Sequence, residues 1–182
     1  MPMMQADGFT IFDTAVGRCA IAWKHQSIAG SQLPERDEAS LGERMRRRFP
    51  GAREASPPPH IATAIERIRA LLAGESDALE DLPLDMTTVP EFNRRVYEIT
   101  RAIPPGSTLT YGDIAIRLGD RAHARAVGQA LGSNPFAPIV PCHRVVSAGG
   151  TMHGFSATGG VTMKLRMLQR EGWRAAEPSL FD

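Results

Sequence analysis

Positions 139–146 read IVPCHRVV, and Cys142, His143 and Arg144 set a thiol, an imidazole and a guanidinium in three consecutive residues. Such a thiol is a buried structural group, half of a metal or disulfide site, or a nucleophile. A nucleophilic cysteine reacts as the thiolate, so its pKa has to fall from ~8.5. A neighbouring base, a helix N-terminus or a cation can bring that about. His143 and Arg144 are suitable types, but neighbours on a strand face opposite sides. Only a turn or a helix start lets Cys142 and His143 converge, and Pro141 disfavours regular strand at that point. On the residues alone, structural thiol and nucleophile stay equally open.

The other readings have less behind them. Cys19 and Cys142 are the only cysteines, whereas a secreted domain stapled by disulfides carries more. The sequence contains no CxxC, HxxxH or HExxH spacing, and its histidines (25, 60, 123, 143 and 153) are scattered, so no metal site is expected. The 182 residues, 42% hydrophobic and 23% charged, suffice for a soluble core in one domain or two small ones. No apolar run approaches the ~18 residues of a membrane span, and the opening MPMMQADGFT lacks a basic-then-apolar leader. A cytoplasmic protein without membrane contact is expected. Charge is uneven: residues 1–87 hold 10 Lys/Arg against 13 Asp/Glu, and residues 88–182 hold 11 against 7. The basic half suits a polyanionic partner, and all but one of its cations are Arg, the type that grips phosphate bidentately.

The elements that must position the thiol follow from periodicity. FTIFDTAVG and RCAIAW flank Gly17 and predict a hairpin. One helix is expected around Leu41–Phe49, with Arg46, Arg47 and Arg48 on a solvated face. Ile61, Ile65, Ile68 and Leu72 predict a second helix, stopped by Gly74. The acidic stretch ESDALEDLPLD (75–85) is aperiodic and is taken as the boundary between two domains. Beyond it, Thr88-Val89-Pro90-Glu91 fits a capping box, followed by Phe92, Val96, Ile99 and Ile103 on one helical face. Thr110-Tyr111-Gly112-Asp113 opens another short helix, Gly119 closes it, and a further helix is expected over about Ala122 to Gly132. Helix, tight turn, helix is the outline of a helix-turn-helix. At 100° per residue Ala124, Val127 and Leu131 face inward while Arg121, Arg125, Gln129 and Gly132 face out, which is either a solvated face or a nucleic-acid contact. The last helix is expected over Val161–Glu171, burying Val161, Leu165 and Leu168. Its Glu171 sits in the last turn against the helix dipole, which by itself means little unless the carboxylate has something else to bind.

IPPGSTLTYGDIA, ARAVGQALGSNP, PIVPCHRVVSAGG and MKLRMLQREG, in this order over roughly positions 90–173, closely resemble the O6-alkylguanine-DNA alkyltransferases, or methylated-DNA–protein-cysteine methyltransferases. The resemblance implies an α+β fold. A small N-terminal α/β domain (1–85) would precede a mostly helical, winged-helix-like domain (88–175) with the helix-turn-helix, and a short tail (176–182). It implies a single-use reaction without cofactor: Cys142 takes the alkyl group from O6 of guanine, with O4 of thymine as a second candidate position. His143 would be the base, acting through a water, with Glu171 orienting it. Tyr111 would rotate the phosphate and serve the leaving base, and Asn134 would brace the turn before the cysteine. The target base must be flipped out. Arg125 would fill the gap in the stack, and Arg121 and Gln129 would share its DNA face. The carbonyls of Cys142 and Val145, with Phe155 and Ser156, would line the base pocket.

The partner implied is double-stranded DNA carrying O6-alkylguanine, bound by a monomer through the minor groove. Phe155 stands where many family members have tyrosine, Ala157-Thr158 lengthens the loop, and Ala137 stands where proline is common. Some family members carry zinc in the N-terminal half, and no matching ligand set is present here. Three rival readings remain: a non-catalytic binder of alkylated DNA, a thiol hydrolase using a Cys142/His143 dyad, and a plain structural domain with a buried cysteine.

Overall fold

A computed structural model of the protein describes residues 3–150, 152 and 157–174. The chain opens with antiparallel strands β1 (Gly8–Thr14), β2 (Gly17–Lys24) and β3 (Ser27–Gln32). A two-residue strand β4 (Arg53–Glu54) pairs parallel to β1, giving the order β3-β2-β1-β4. Alternation buries both faces of the sheet. Phe9, Ala20, Ala22 and Ala29 face helix α1 (Glu38–Arg48), while Phe12, Cys19, Ile21, Trp23 and Ile28 face helix α2 (Pro59–Ala73). The hairpin and both helices lie where periodicity put them. β3 was not foreseen, because its Ser-Ile-Ala-Gly-Ser-Gln sequence carries too few large residues to alternate visibly.

β3 is an edge strand, and other segments cap that edge. Ile28 exchanges backbone bonds with Pro83 and Asp85 (both 2.8 Å), and the Ser31 amide donates to the Pro135 carbonyl (2.9 Å). Ser31 Oγ adds a bond to the Ala137 carbonyl (2.8 Å). Arg48 is not on a solvated face as expected. Its guanidinium turns inward and donates to the carbonyls of Ser31 and Pro135 and to Gln32 Oε1. Satisfying three buried acceptors outweighs leaving this charge in water. The 75–85 segment is pinned as well. Leu79 and Leu82 are buried, Arg67 pairs with Asp77 and Asp81, and Arg101 donates to the Leu79 and Leu82 carbonyls.

Four helices make up the rest: α3 (Glu91–Arg101), α4 (Tyr111–Arg117), α5 (Ala124–Gly132) and α6 (Gly160–Arg170). The parallel pair β5 (Leu109–Thr110) and β6 (Val145–Val146) ties the start of α4 to the segment after the cysteine. The Thr110 capping box is real, with Asp113 N donating to Thr110 Oγ1 and Thr110 N to Asp113 Oδ2. The one expected at Thr88 does not form. α3 begins at Glu91 with Pro90 as its N-cap, so Glu91 lies too early to reach back as an N3 residue. A 3-10 turn over Arg121–His123 precedes α5.

The buried face of α6 is also corrected. Leu168 is buried as expected, but Val161 is 40% exposed and Leu165 only half-buried, while Lys164 and Met167 are buried in their place. The helix is rotated because the Lys164 ammonium reaches the Val145 carbonyl, a polar anchor that an apolar pattern cannot reveal. Among the described residues no helix is long and apolar enough to cross a membrane.

Candidate active site

Two glycines seat the end of α6. Gly74 (φ +104°) and Gly106 (φ +84°) each lie so close that a Cβ would come within 2.9 Å of the Arg170 and Glu171 carbonyls respectively. Only glycine tolerates that approach with positive φ. Glu171, the C-cap of α6, thereby turns its carboxylate toward Cys142–Arg144, which form a single 3-10 turn rather than strand. Pro141 accepts from the Arg144 amide (2.9 Å) and closes the turn, so consecutive side chains can share one site.

His143 Nε2 lies 2.7 Å from Glu171 Oε1. Arg144 grips the same carboxylate through Nη2 (2.8 Å) and Nε (3.0 Å), and sends Nη1 to the Ile103 carbonyl (2.7 Å). His143 and Arg144 are each 1% exposed. With Nε2 engaged, the only other polar atom of the ring is Nδ1, which is buried and has no partner among the described residues. A carboxylate on Nε2 favours the tautomer with the proton there, leaving a basic lone pair on Nδ1.

The electrostatics suit proton transfer. Burial alone would raise the Glu171 carboxyl, but the bonds from His143 and Arg144 outweigh it and hold the group at about 2. Burial pushes His143 down, against the pull of Glu171, and keeps the imidazole neutral. Burial likewise pushes the Cys142 thiol up, and the Asn134 and Lys164 side chains only partly offset this. The expected fall in the thiol's pKa is therefore not seen, because Cys142, only 8% exposed, is removed from the water that would solvate its charge. A protonated thiol stands beside a neutral base.

Asn134 donates to the Val140 carbonyl (2.8 Å) and accepts from the Phe136 amide (2.9 Å). Tyr111 opens α4, and burial, then the nearby Cys142 sulfur, raises its phenol, so the hydroxyl stays a donor. The Val145 carbonyl already accepts from Lys164 and keeps a second lone pair. Arg125 and Gln129 are exposed on one side of α5, with Arg121 exposed in the 3-10 turn before it, while Val127, Ala130 and Leu131 are buried on the other side. Phe155 and Ser156 lie outside the described residues. Among the described residues no group of three His, Cys, Asp or Glu side chains could hold a metal, and both cysteines are free.

Sequence reasoning missed three residues. Arg144 was taken as a cation for the thiol and instead serves Glu171. Lys164 was not singled out, and Arg48 was read only as part of a solvated face. The available signal was Glu171 itself, a carboxylate against a helix dipole that needed more than one imidazole.

Residues 91–173 match the family described as "6-O-methylguanine DNA methyltransferase, DNA binding domain". A methylated-DNA–protein-cysteine methyltransferase of Mycobacterium tuberculosis is 41% identical over 126 residues, 69% of this chain and 74% of that protein. The bifunctional transcriptional activator/DNA repair enzyme Ada of Escherichia coli is 33% identical over 165 residues, 90% of this chain but 45% of that protein. The crystal structure of M. tuberculosis OGT in complex with DNA superposes with a TM-score of 0.72 at 30% identity, covering 90% of this chain and 92% of that one.

Proposed function

The chain belongs to the O6-methylguanine-DNA methyltransferase family, and from that premise we propose that it repairs alkylated DNA by moving the alkyl group from O6 of guanine to Cys142. The carrying observation is His143, whose Nε2 is held by Glu171 and whose Nδ1 is a buried, unpartnered acceptor one residue from the thiol. The Cys142 proton passes through a water to Nδ1, and Glu171 stabilises the imidazolium. The thiolate attacks the alkyl carbon in line with O6. The S–C bond forms, the C–O6 bond breaks with its electron pair going to oxygen, and Tyr111 donates to the departing base. A thioether has no easy leaving route, so each molecule acts once and requires no cofactor.

Double-stranded DNA is the partner, approached through the minor groove by a monomer. The exposed side of α5 is slender there, and Arg125 takes the place of the flipped nucleotide while Arg121 and Gln129 meet the strands. The base lies against Tyr111 and the Cys142 and Val145 carbonyls. Residues 88–175 form the DNA-binding and acceptor unit. Residues 1–85 are its scaffold, since β3 and Arg48 hold Pro135–Ala137. The cytoplasm is the expected compartment.

Intact-protein and peptide mass spectrometry after incubation with O6-methylguanine duplex tests this. A gain of about 14 Da on the Cys142 peptide, saturating at about one per molecule, is expected of an irreversible acceptor. Reversible binding with no gain would identify a non-catalytic binder. Repeated turnover of a thioester or amide substrate, unaffected by DNA, would identify a hydrolase.

A further inference from the structure

The segment that leads into α6 is fastened to the N-terminal half by one carboxylate. Thr158 Oγ1 donates to Glu35 Oε2 (2.5 Å), a bond between residues 123 positions apart. The other oxygen of Glu35 takes Arg44 Nη1 (2.9 Å) and a longer contact from Gln32 Nε2 (3.5 Å). The Glu35 side chain is only 13% exposed. The Thr158 bond is therefore charge-assisted and partly shielded from water, which makes it stronger than an ordinary surface bond.

The segment needs such a tether. The N-cap of α6 is Gly159, which makes no side-chain cap bond, so the first-turn amides have no acceptor from their own cap. Glu35, bonded to the residue beside that cap, sets a negative charge at the positive end of the helix dipole. Ala157 and Thr158 are the two residues that lengthen this connection, and a longer connection has more freedom to lose. On the other side of Thr158, Ala157 packs against the apolar cluster that contains Cys142 and lines one cavity with it. The Ala157 carbonyl accepts from the Gly160 amide (2.9 Å), so residues 157–160 turn as a unit. The place of Thr158 thus sets the place of Ala157 beside Cys142.

We propose that Glu35 is a positioning residue for the alkyl transfer: by holding Thr158 it keeps residues 157–159 docked beside the Cys142 turn in the arrangement that reacts. The inference rests on the alkyl-transfer reading. Glu35 acts through Thr158 and not on the sulfur. The N-terminal half then does more than hold Pro135–Ala137 from one side; it also fixes the segment that covers the acceptor from the other. Loss of the tether leaves the nucleophile and its base intact, lowers the docked population and uncovers the sulfur.

The test uses the full chain and two readouts. One is single-turnover methyl transfer from O6-methylguanine duplex. The other is capping of Cys142 by iodoacetamide without DNA, followed on the Cys142 peptide so that Cys19 does not interfere. Thr158→Val keeps the shape of the side chain and removes its hydroxyl. A charge-assisted bond biases the docked population about tenfold, so the maximal transfer rate should fall about three- to tenfold while the half-saturating duplex concentration stays within about twofold. Iodoacetamide capping should move the opposite way and speed up. Thr158→Ser should restore both readouts. Glu35→Ala should match Thr158→Val, and the double variant should be no worse than either, because one bond is not lost twice. Thermal melts establish that each variant is folded. A Thr158→Val chain that matches the parent in both readouts, or a loss that Thr158→Ser does not rescue, would overturn the positioning role alone. Single losses that multiply in the double variant would overturn it too. A parent chain that leaves the methyl group on the DNA would remove the underlying reading, and the positioning role with it.

Discussion

At the scale of single residues the site is a buried charge problem that Glu171 solves twice. Its carboxylate compensates the Arg144 guanidinium and orients the His143 ring, both at hydrogen-bond distance. Glu171→Gln keeps the shape and removes the charge. It should cost about 3–5 kcal/mol of stability, because Arg144 stays buried without a counter-ion. It should also slow single-turnover repair about 10²–10⁴-fold, as the base loses its orienting anion. Urea midpoints and transfer rates check the two effects separately, and a folded variant with an unchanged rate would remove Glu171 from the chemistry. Acid should act in two stages. His143 is depressed below its ordinary 6.5 in the folded chain. As pH falls past 6.5 only the unfolded chain takes up this proton, so stability that is full above that pH declines below it. Glu171 is held at about 2 against an ordinary 4.5, so its contribution is present above 4.5 and is lost as pH drops toward 2. Urea midpoints from about pH 8 down to about pH 3 should show both declines, and His143→Gln should abolish only the upper one. An upper stage that survives in that variant would assign it to another group.

At the scale of elements, short pieces of secondary structure set the reacting groups. α4 carries Tyr111 as its first residue, and the strand pair β5–β6 fixes that residue relative to the turn holding Cys142. The Thr110 cap therefore matters beyond its own energy. Thr110→Ala should cost about 1 kcal/mol in stability, and the repair rate should fall further than that loss alone explains, because Tyr111 loses its fixed origin. A rate that follows the folded fraction alone would count against this. The same elements show what a sequence can and cannot disclose. Helices α2, α4 and α5, the first hairpin and the outward row Arg121–Arg125–Gln129 were legible because apolar spacing and capping residues act locally. Glu171 was legible as an anomaly. Strand β3, the inward turn of Arg48 and the rotation of α6 were not. Each depends on a carbonyl supplied by a distant segment (Ser31, Pro135 or Val145), and hydropathy does not register a polar group that buries itself to meet one. Thr88 failed in the opposite way: its spacing satisfied a local rule, and the helix started two residues later, with Pro90 as its N-cap.

At the scale of the whole molecule the two halves differ in charge and share a core. The first half is net acidic and the second net basic, and the N-terminal sheet holds the segment that leads to the Cys142 turn through Pro135 and Ala137. The apolar cluster crosses the 75–85 segment without a break. Ile21, Ile65 and Ile68 belong to the same cluster as Val96, Val127, Val140 and Met167, and the Ser31–Pro135 bond and the Arg48 clamp add polar ties across the halves. Units joined this way cannot open separately without exposing apolar surface on both, which makes unfolding cooperative. Ile68, fully buried on α2, lies in the N-terminal half and far along the chain from Cys142. Ile68→Ala should destabilise the protein by about 2–5 kcal/mol, and the loss should appear equally in both halves. With Trp173 replaced by Phe, the fluorescence of Trp23 reports the sheet, and alkylation of Cys142 reports the site. The two denaturation curves should coincide in the parent chain and shift together in the variant. A repair-competent state that persists after Trp23 has unfolded would mean that the acceptor unit stands alone and that the scaffold role of residues 1–85 has to be abandoned.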